Sequence, residues 1–186
     1  NHPGLVHILH VGRHDQDSPF YYYVMELGDD ARTGVHITPD EYIPRTLQTD
    51  KKFSGNKPLP LDYCLEVGSQ LAHALLYLHS KNLTHRDIKP ANVLLSEQGE
   101  VKLTDFGAAL AVRSDATQLA GLVGSPSYMS PEQVQEQDLG HHSDMFSLAV
   151  VVYELLTGRR PFDGDTDFAT LYRITHEAPT PPRLLR

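Results

Sequence analysis

Apolar residues recur with two different periods along the chain, and the switch between them divides it. Residues 5–11 and 20–27 form short runs rich in aromatic and β-branched side chains, with the turn-like residues 12–19 between them. That pattern predicts two short strands. Residues 28–60 keep no period. Gly, Pro, Asp and Thr recur there, so a long connection is expected, with one short helix near 40–47. Connections of this length are usually functional or mobile. At Pro60-Leu61-Asp62 the period becomes helical: Leu61, Leu65, Leu71, Ala72, Leu75, Leu76 and Leu78 recur at helical spacing and predict a helix. Asp62 places its charge at the positive end of that helix dipole. Two apolar runs, 92–96 and 101–104, flank Glu97-Gln98-Gly99-Glu100 and predict a hairpin turning at Gly99. Residues 105–131 are irregular. A second helix is expected over 143–157, apolar nearly all round and therefore central to a core, with Gly158 as its C-terminal cap. The proline-rich tail, 179–186, is expected to fray.

Composition narrows the class. The chain has 186 residues, enough for one domain with a sizeable core, and 40% hydrophobic with 22% charged residues reads as globular. A net charge of -8 argues against a nucleic-acid partner, whose binders are usually basic. No stretch has the length of a membrane span, and no signal peptide is visible. The single cysteine, Cys64, cannot form an internal disulfide and suits a cytosolic location; its place in an apolar helical pattern makes it a core residue rather than a reactive thiol. Eleven histidines invite a metal reading, but the close pairs His7/His10 and His141/His142 have no companion ligands at metal-site spacing.

The chemistry-bearing residues lie between His85 and Glu132 as three motifs. They are His85-Arg86-Asp87-Ile88-Lys89-Pro90-Ala91-Asn92, Asp105-Phe106-Gly107, and Gly124-Ser125-Pro126-Ser127-Tyr128-Met129-Ser130-Pro131-Glu132. A lone Asp-Phe-Gly is usually a turn, and Asp87 or Asp105 alone would pass as a cap residue. In this order and at this spacing the three together resemble the eukaryotic-type (Hanks-type) protein Ser/Thr kinases, in a form nearer the bacterial than the animal one.

The resemblance implies an α+β, protein-kinase-like fold: a mostly helical C-terminal lobe with remnant N-lobe strands. Residues 1–28 would be the last N-lobe strands and the hinge, 29–60 an unusually long hinge-to-helix connection, and 61–186 the C-lobe. It implies ATP and Mg²⁺ as cofactors and a protein substrate with a Ser or Thr acceptor. Asp87 would orient the substrate hydroxyl and accept its proton, and Lys89 would reach the transferring phosphate. Asn92 and Asp105 are hard oxygen ligands suited to Mg²⁺. Lys89 in Asp-Ile-Lys-Pro-Ala-Asn is the Ser/Thr form; tyrosine kinases carry a different residue pattern there. Met25-Glu26-Leu27-Gly28 resembles the adenine-binding hinge, with Met25 as gatekeeper, the Glu26 carbonyl and Gly28 N–H as its polar contacts, and Leu94 as the floor. Met25 and Leu94 also suit a plain core role.

Further family positions are implied for regulation and support. His85 resembles a packing histidine of the kinase spine, and Arg86 an arginine that pairs with an activation-loop phosphate. Ser114, Thr117 and Ser125 lie in that loop, with Thr117 the candidate phosphosite; Ser125 stands where the family has threonine and would touch Asp87 and Lys89. Asp144 resembles the aspartate that holds the catalytic-loop backbone, with Phe146 in place of the usual tryptophan. Glu154 is expected to make a structural hydrogen bond rather than meet a basic substrate residue. No Gly-rich phosphate loop, strand-3 lysine or last helices appear, and the arginine that pairs with the Glu132 position is likewise absent, so a kinase-domain fragment is expected, weak or inactive alone. A membrane anchor outside the chain is compatible with this. The alternatives are a pseudokinase-like scaffold, and a small-molecule phosphotransferase, which would not need the peptide-docking segment ending at Glu132. The sequence assigns no oligomeric state.

Overall fold

The computed structural model describes residues 2–14, 20–105 and 126–185. Strand β1 (Ile8–His14) pairs antiparallel with β2 (Phe20–Met25), Val11 opposite Tyr23, with a register shift between Ile8 and His10. Both strands lie near the predicted runs, but β1 sits later, because residues 4–6 do something else. Val6 N–H donates to Leu103 at 2.8 Å and Leu103 N–H to Gly4 at 2.9 Å, so the segment before β1 runs along the small hairpin deeper in the chain. Much of the β1–β2 pair faces outward; Leu9 and Tyr21 are 60% and 76% exposed.

The 29–60 connection is more ordered than its sequence suggested. It holds a short 3₁₀ turn at Pro39–Glu41 and helix α1 (Leu47–Phe53), which starts where the predicted helix was to end. The start is fixed by Thr46, whose hydroxyl accepts from Thr49 N–H while Thr49 Oγ1 accepts from Thr46 N–H. This reciprocal cap satisfies two donors that a helix end leaves open. Such caps read weakly in a stretch with no apolar period.

Helix α2 (Leu61–Ser80) is the first long element. Its buried face is Cys64, Val67, Leu71, Ala74, Leu75 and Leu78, the i, i+3, i+4, i+7 stripe of a 3.6-residue period. The predicted stripe mixed two faces: Leu61, Leu65 and Leu76 point to solvent. Strands β3 (Val93–Leu95) and β4 (Val101–Leu103) form the expected hairpin, and Gly99 takes a φ of 83° at its turn. Helix α3 (Pro131–Val134) is short and capped by Ser130. Helix α4 (His141–Thr157) begins two residues before its predicted start and ends, as expected, at Gly158 with φ 74°. Helix α5 (Asp167–His176) is capped by Thr166.

The core lies where α2 and α4 cross behind the hairpin. Leu71, Leu75, Ile88, Val93, Leu103, Val151 and Leu155 are packed there, none more than 1% exposed. Burying each such side chain contributes roughly 1.5–3 kcal/mol. Cys64 is in this cluster, as its apolar pattern predicted. The tail is partly tied down rather than frayed: Tyr153 donates its hydroxyl to Thr180 at 2.8 Å, and Pro182–Leu184 make a 3₁₀ turn. Among the described residues no helix is long and apolar enough to cross a membrane.

Candidate active site

The loop between α2 and β3 is built on a strained turn. Arg86 has a φ of 69°, a left-handed conformation that costs a non-glycine residue roughly 1–3 kcal/mol and persists only if held. It is held from two sides. The buried carboxylate of Asp144 on α4 accepts from the backbone N–H of Arg86 (2.7 Å) and of His85 (2.8 Å). Gln133 on α3 donates its side-chain amide to the carbonyl of Arg86 at 2.9 Å. His79 Nε2 lies 2.9 Å from the same Asp144 carboxylate.

His85 ties this loop to the strand hairpin. Its Nε2 lies 2.9 Å from the Thr104 carbonyl, and Asp87 N–H donates to its Nδ1 at 3.3 Å. One neutral tautomer, protonated on Nε2, satisfies both contacts. Burial lowers the His85 pKa, outweighing the Thr104 carbonyl and the nearby carboxylates that raise it. The ring therefore stays neutral in its place.

On that frame the loop brings three predicted residues together. Lys89 Nζ donates to Asp87 Oδ2 at 2.7 Å, and Asn92 Nδ2 donates to the same oxygen at 2.8 Å and to the Asp87 carbonyl at 2.9 Å. The Asp87 side chain keeps about a third of its surface open, at 35%. With its Nδ2 turned to Asp87, Asn92 presents Oδ1 as its remaining acceptor. Thr104 N–H bonds to the Asn92 carbonyl at 3.0 Å, which fixes the start of Asp105 beside it. Asp105 is exposed and has a φ of 69°, the second left-handed non-glycine residue at the site. Tyr23 of β2 donates its hydroxyl to Asp105 Oδ1 at 3.1 Å; burial raises the Tyr23 pKa, and the Asp105 charge adds to it.

The residues expected to form the hinge lie against the β3–β4 hairpin. Thr104 Oγ1 lies 3.1 Å from Met25 Sδ. Glu26 accepts from Lys102 Nζ (2.9 Å) and His7 N–H (2.9 Å). Burial favours the neutral acid, but these donors outweigh it and lower the Glu26 pKa. The Glu26 backbone N–H in turn donates to the His7 carbonyl at 2.9 Å. Leu94 lies directly under Gly28: a Cβ built there would sit 3.3 Å from its methyl group. Leu94 is buried, in keeping with a floor.

Two supports sit further out. Glu132 accepts from Ser143 Oγ at 2.6 Å and lies 3.3 Å from His142 Nε2. Phe146 stacks on Phe162 with ring centroids 6.0 Å apart. Glu154 makes the structural contacts expected of it, to the Tyr128 hydroxyl (2.7 Å) and to Lys51 Nζ (2.5 Å). Phe106, Gly107, Ser114, Thr117 and Ser125 lie outside the described residues. Tyr23, Lys51, His79 and Gln133 were not read from the sequence as part of the site; each acts across a long sequence separation that no local pattern encodes. Among the described residues no group of three or more His, Cys, Asp or Glu forms a metal cluster. A cation here would be shared by few protein oxygens and by phosphate, which is the habit of Mg²⁺, and the donor chemistry of Asn92 and Asp105 fits it.

The chain matches the family model of the protein kinase domain over residues 1–183. Serine/threonine-protein kinase PknB of Mycobacterium leprae is 35% identical over 187 residues, covering 98% of this chain and 27% of that protein. Probable serine/threonine-protein kinase PknB of Bifidobacterium longum is 39% identical over 186 residues, covering 98% and 25%. Serine/threonine-protein kinase PknB of Mycobacterium tuberculosis is 35% identical over 186 residues, covering 98% and 27%. The chain therefore spans about a quarter of the length of the curated relatives it matches.

Proposed function

The chain belongs to the protein kinase domain family, and from that premise we propose that the protein it comes from transfers the γ-phosphate of ATP to Ser and Thr hydroxyls of protein substrates. The observation that carries this reading is the convergence of Lys89 and Asn92 on one oxygen of Asp87, at 2.7 and 2.8 Å. Phosphoryl transfer needs little covalent help from the protein; it needs positioned groups and neutralised charge. Asp87 holds the acceptor hydroxyl and takes its proton as the oxygen attacks the γ-phosphorus. The bond to the β-phosphate oxygen breaks and ADP leaves. Lys89 moves from Asp87 to the transferring phosphate, a short shift for a flexible ammonium. Asn92 and Asp105 would hold Mg²⁺, which would offset phosphate charge. The Glu26 carbonyl and Gly28 N–H take the adenine edge, between Met25 and Leu94.

On this reading residues 1–28 are the last N-lobe strands and hinge, 29–60 the hinge-to-helix connection and 61–186 the C-lobe. Arg86 and Thr117 would form a regulatory pair, with phosphate on Thr117 meeting the guanidinium. A single buried cysteine, Cys64, supports a cytosolic location. The intact set of Asp87, Lys89, Asn92 and Asp105 favours transfer over a scaffold role.

The test is transfer of label from γ-labelled ATP by the full-length protein to casein and to histone, followed by acid hydrolysis. Phosphoserine and phosphothreonine are expected. No label, or phosphotyrosine alone, would overturn the proposal.

A further inference from the structure

A cleft of about 400 Å³ opens beside Lys89; among the described residues its charged lining is Lys51, Lys52, Lys89 and Arg160 with the acid Glu154. Three of these cations are already ion-paired, Lys51 with Glu154, Lys89 with Asp87 and Arg160 with Asp163, and Lys52 stands exposed beside them. Glu154 cannot serve an incoming cation. One of its oxygens takes Lys51 Nζ at 2.5 Å and the other takes the Tyr128 hydroxyl at 2.7 Å, and its side chain is only 10% exposed. Displacing Lys51, itself buried, would uncover its charge away from water, which is costly.

The cations are differently placed. Arg160 reaches Asp163 at 2.7 Å, but that pair is open, with side chains 32% and 49% exposed. Exposed pairs contribute about 0–1 kcal/mol, so a ligand carboxylate can compete for the guanidinium. Arg160 is also positioned by a 2.7 Å hydrogen bond from NH1 to Ser127 Oγ, in the motif that leads to Glu132. Lys52 is exposed on the far wall, in the last turn of α1. An acidic side chain entering the cleft finds accessible donors on two sides. A basic one meets acids that each already hold a cation: Glu154 on Lys51, Asp163 on Arg160 and Asp87 on Lys89.

We propose that this cleft selects Ser/Thr acceptor segments flanked by Asp or Glu, with Lys52 and Arg160 as specificity-determining residues. The proposal rests on the phosphotransfer reading above, because it takes the cleft beside Asp87 and Lys89 as the place where the acceptor segment lies. The 29–60 connection gains a role by it: α1 supplies both the lock on Glu154 and the exposed Lys52.

The test uses the full-length protein and three peptides with one acceptor serine, flanked by acidic, neutral or basic residues. The acidic peptide is expected to show a KM about tenfold below the basic one at similar kcat, the usual effect of charge complementarity. The preference should shrink in high salt, since screening shortens to about 3 Å at 1 M. Lys52→Glu should raise KM for the acidic peptide about threefold or more and leave the neutral peptide's KM unchanged, a split that a merely structural role would not give. Fluorescence anisotropy of the same peptides on the Asp87→Asn protein reads the cleft without catalysis. An acidic preference there, with no transfer by the unmodified protein, would keep the cleft assignment and overturn the phosphotransfer reading. Transfer with equal KM for all three peptides, or an equal rise for all three in Lys52→Glu, would overturn the specificity proposal alone.

Discussion

The carboxylate of Asp144 accepts the backbone N–H of Arg86 at 2.7 Å, across 58 positions of sequence, and Arg86 is in a left-handed conformation. A side chain at the start of α4 thus holds the turn from which Asp87 projects. The same carboxylate serves His85 N–H and His79, so it is the common anchor of the loop.

Asp144→Asn leaves one acceptor oxygen where two were used and turns an amide N–H towards a backbone donor. Losing a buried charged acceptor should cost about 2 kcal/mol, and lower Tm by roughly 4–8 °C for a domain of this size. In the full-length protein kcat should fall while KM for ATP changes little, because the turn carrying Asp87 shifts while residues 25–28 do not. Calorimetry and steady-state kinetics check both. An unchanged Tm and kcat would mean that the turn holds itself.

Leu75 and Leu76 are adjacent in sequence and opposite in environment, 0% and 67% exposed. Leu75→Ala should destabilise by about 2–5 kcal/mol through lost burial and the cavity left behind. Leu76→Ala should stay within about 0.5 kcal/mol. Denaturant midpoints of the two variants compare them directly; similar values would place α2 in a different rotation.

Asp30 gives the 29–60 connection a pH dependence. Its carboxylate accepts from Ile43 N–H (2.8 Å), Arg32 N–H (2.8 Å) and Thr33 N–H (3.0 Å), which hold its pKa down to about 2 from 3.8. A depressed carboxylate pKa stabilises the fold above the unfolded value and loses that effect as pH falls through the folded one. Local opening of 29–45 should therefore grow between about pH 4 and pH 2. In Asp30→Asn that slope should vanish. Hydrogen exchange at Ala31 and Arg45 across this range is the measurement, and an equal slope in both proteins would refute the assignment.

What was legible in the sequence follows from how local each cause is. The α2 and α4 helices and the β3–β4 hairpin came through because period and turn residues are local signals. The α2 face was misassigned where several leucines fall on the solvent side, Leu61, Leu65 and Leu76 among them, since hydrophobicity alone does not say which leucines a partner covers. Helix α1 was displaced because its start depends on the Thr46–Thr49 cap rather than on an apolar stripe. At the site, the residue types of Asp87, Lys89, Asn92 and Asp105 carry the proposed chemistry, and the fold brings Asp87, Lys89 and Asn92 together. Their supports were invisible: Tyr23 reaches Asp105 over 82 positions and Gln133 reaches Arg86 over 47. The Lys51–Glu154 pair joins the aperiodic connection to α4, and only the folded chain brings them together.

On the proposed reading Asp87 orients the acceptor hydroxyl and takes its proton. Asp87→Asn keeps the side chain's size and removes its charge. With the full-length protein, ATP and a Ser/Thr protein substrate, single-turnover phosphate transfer should fall by about 10²–10⁴, the usual contribution of a positioned base, while ATP affinity stays within a few-fold. Transfer at the unmodified rate by Asp87→Asn would contradict the account.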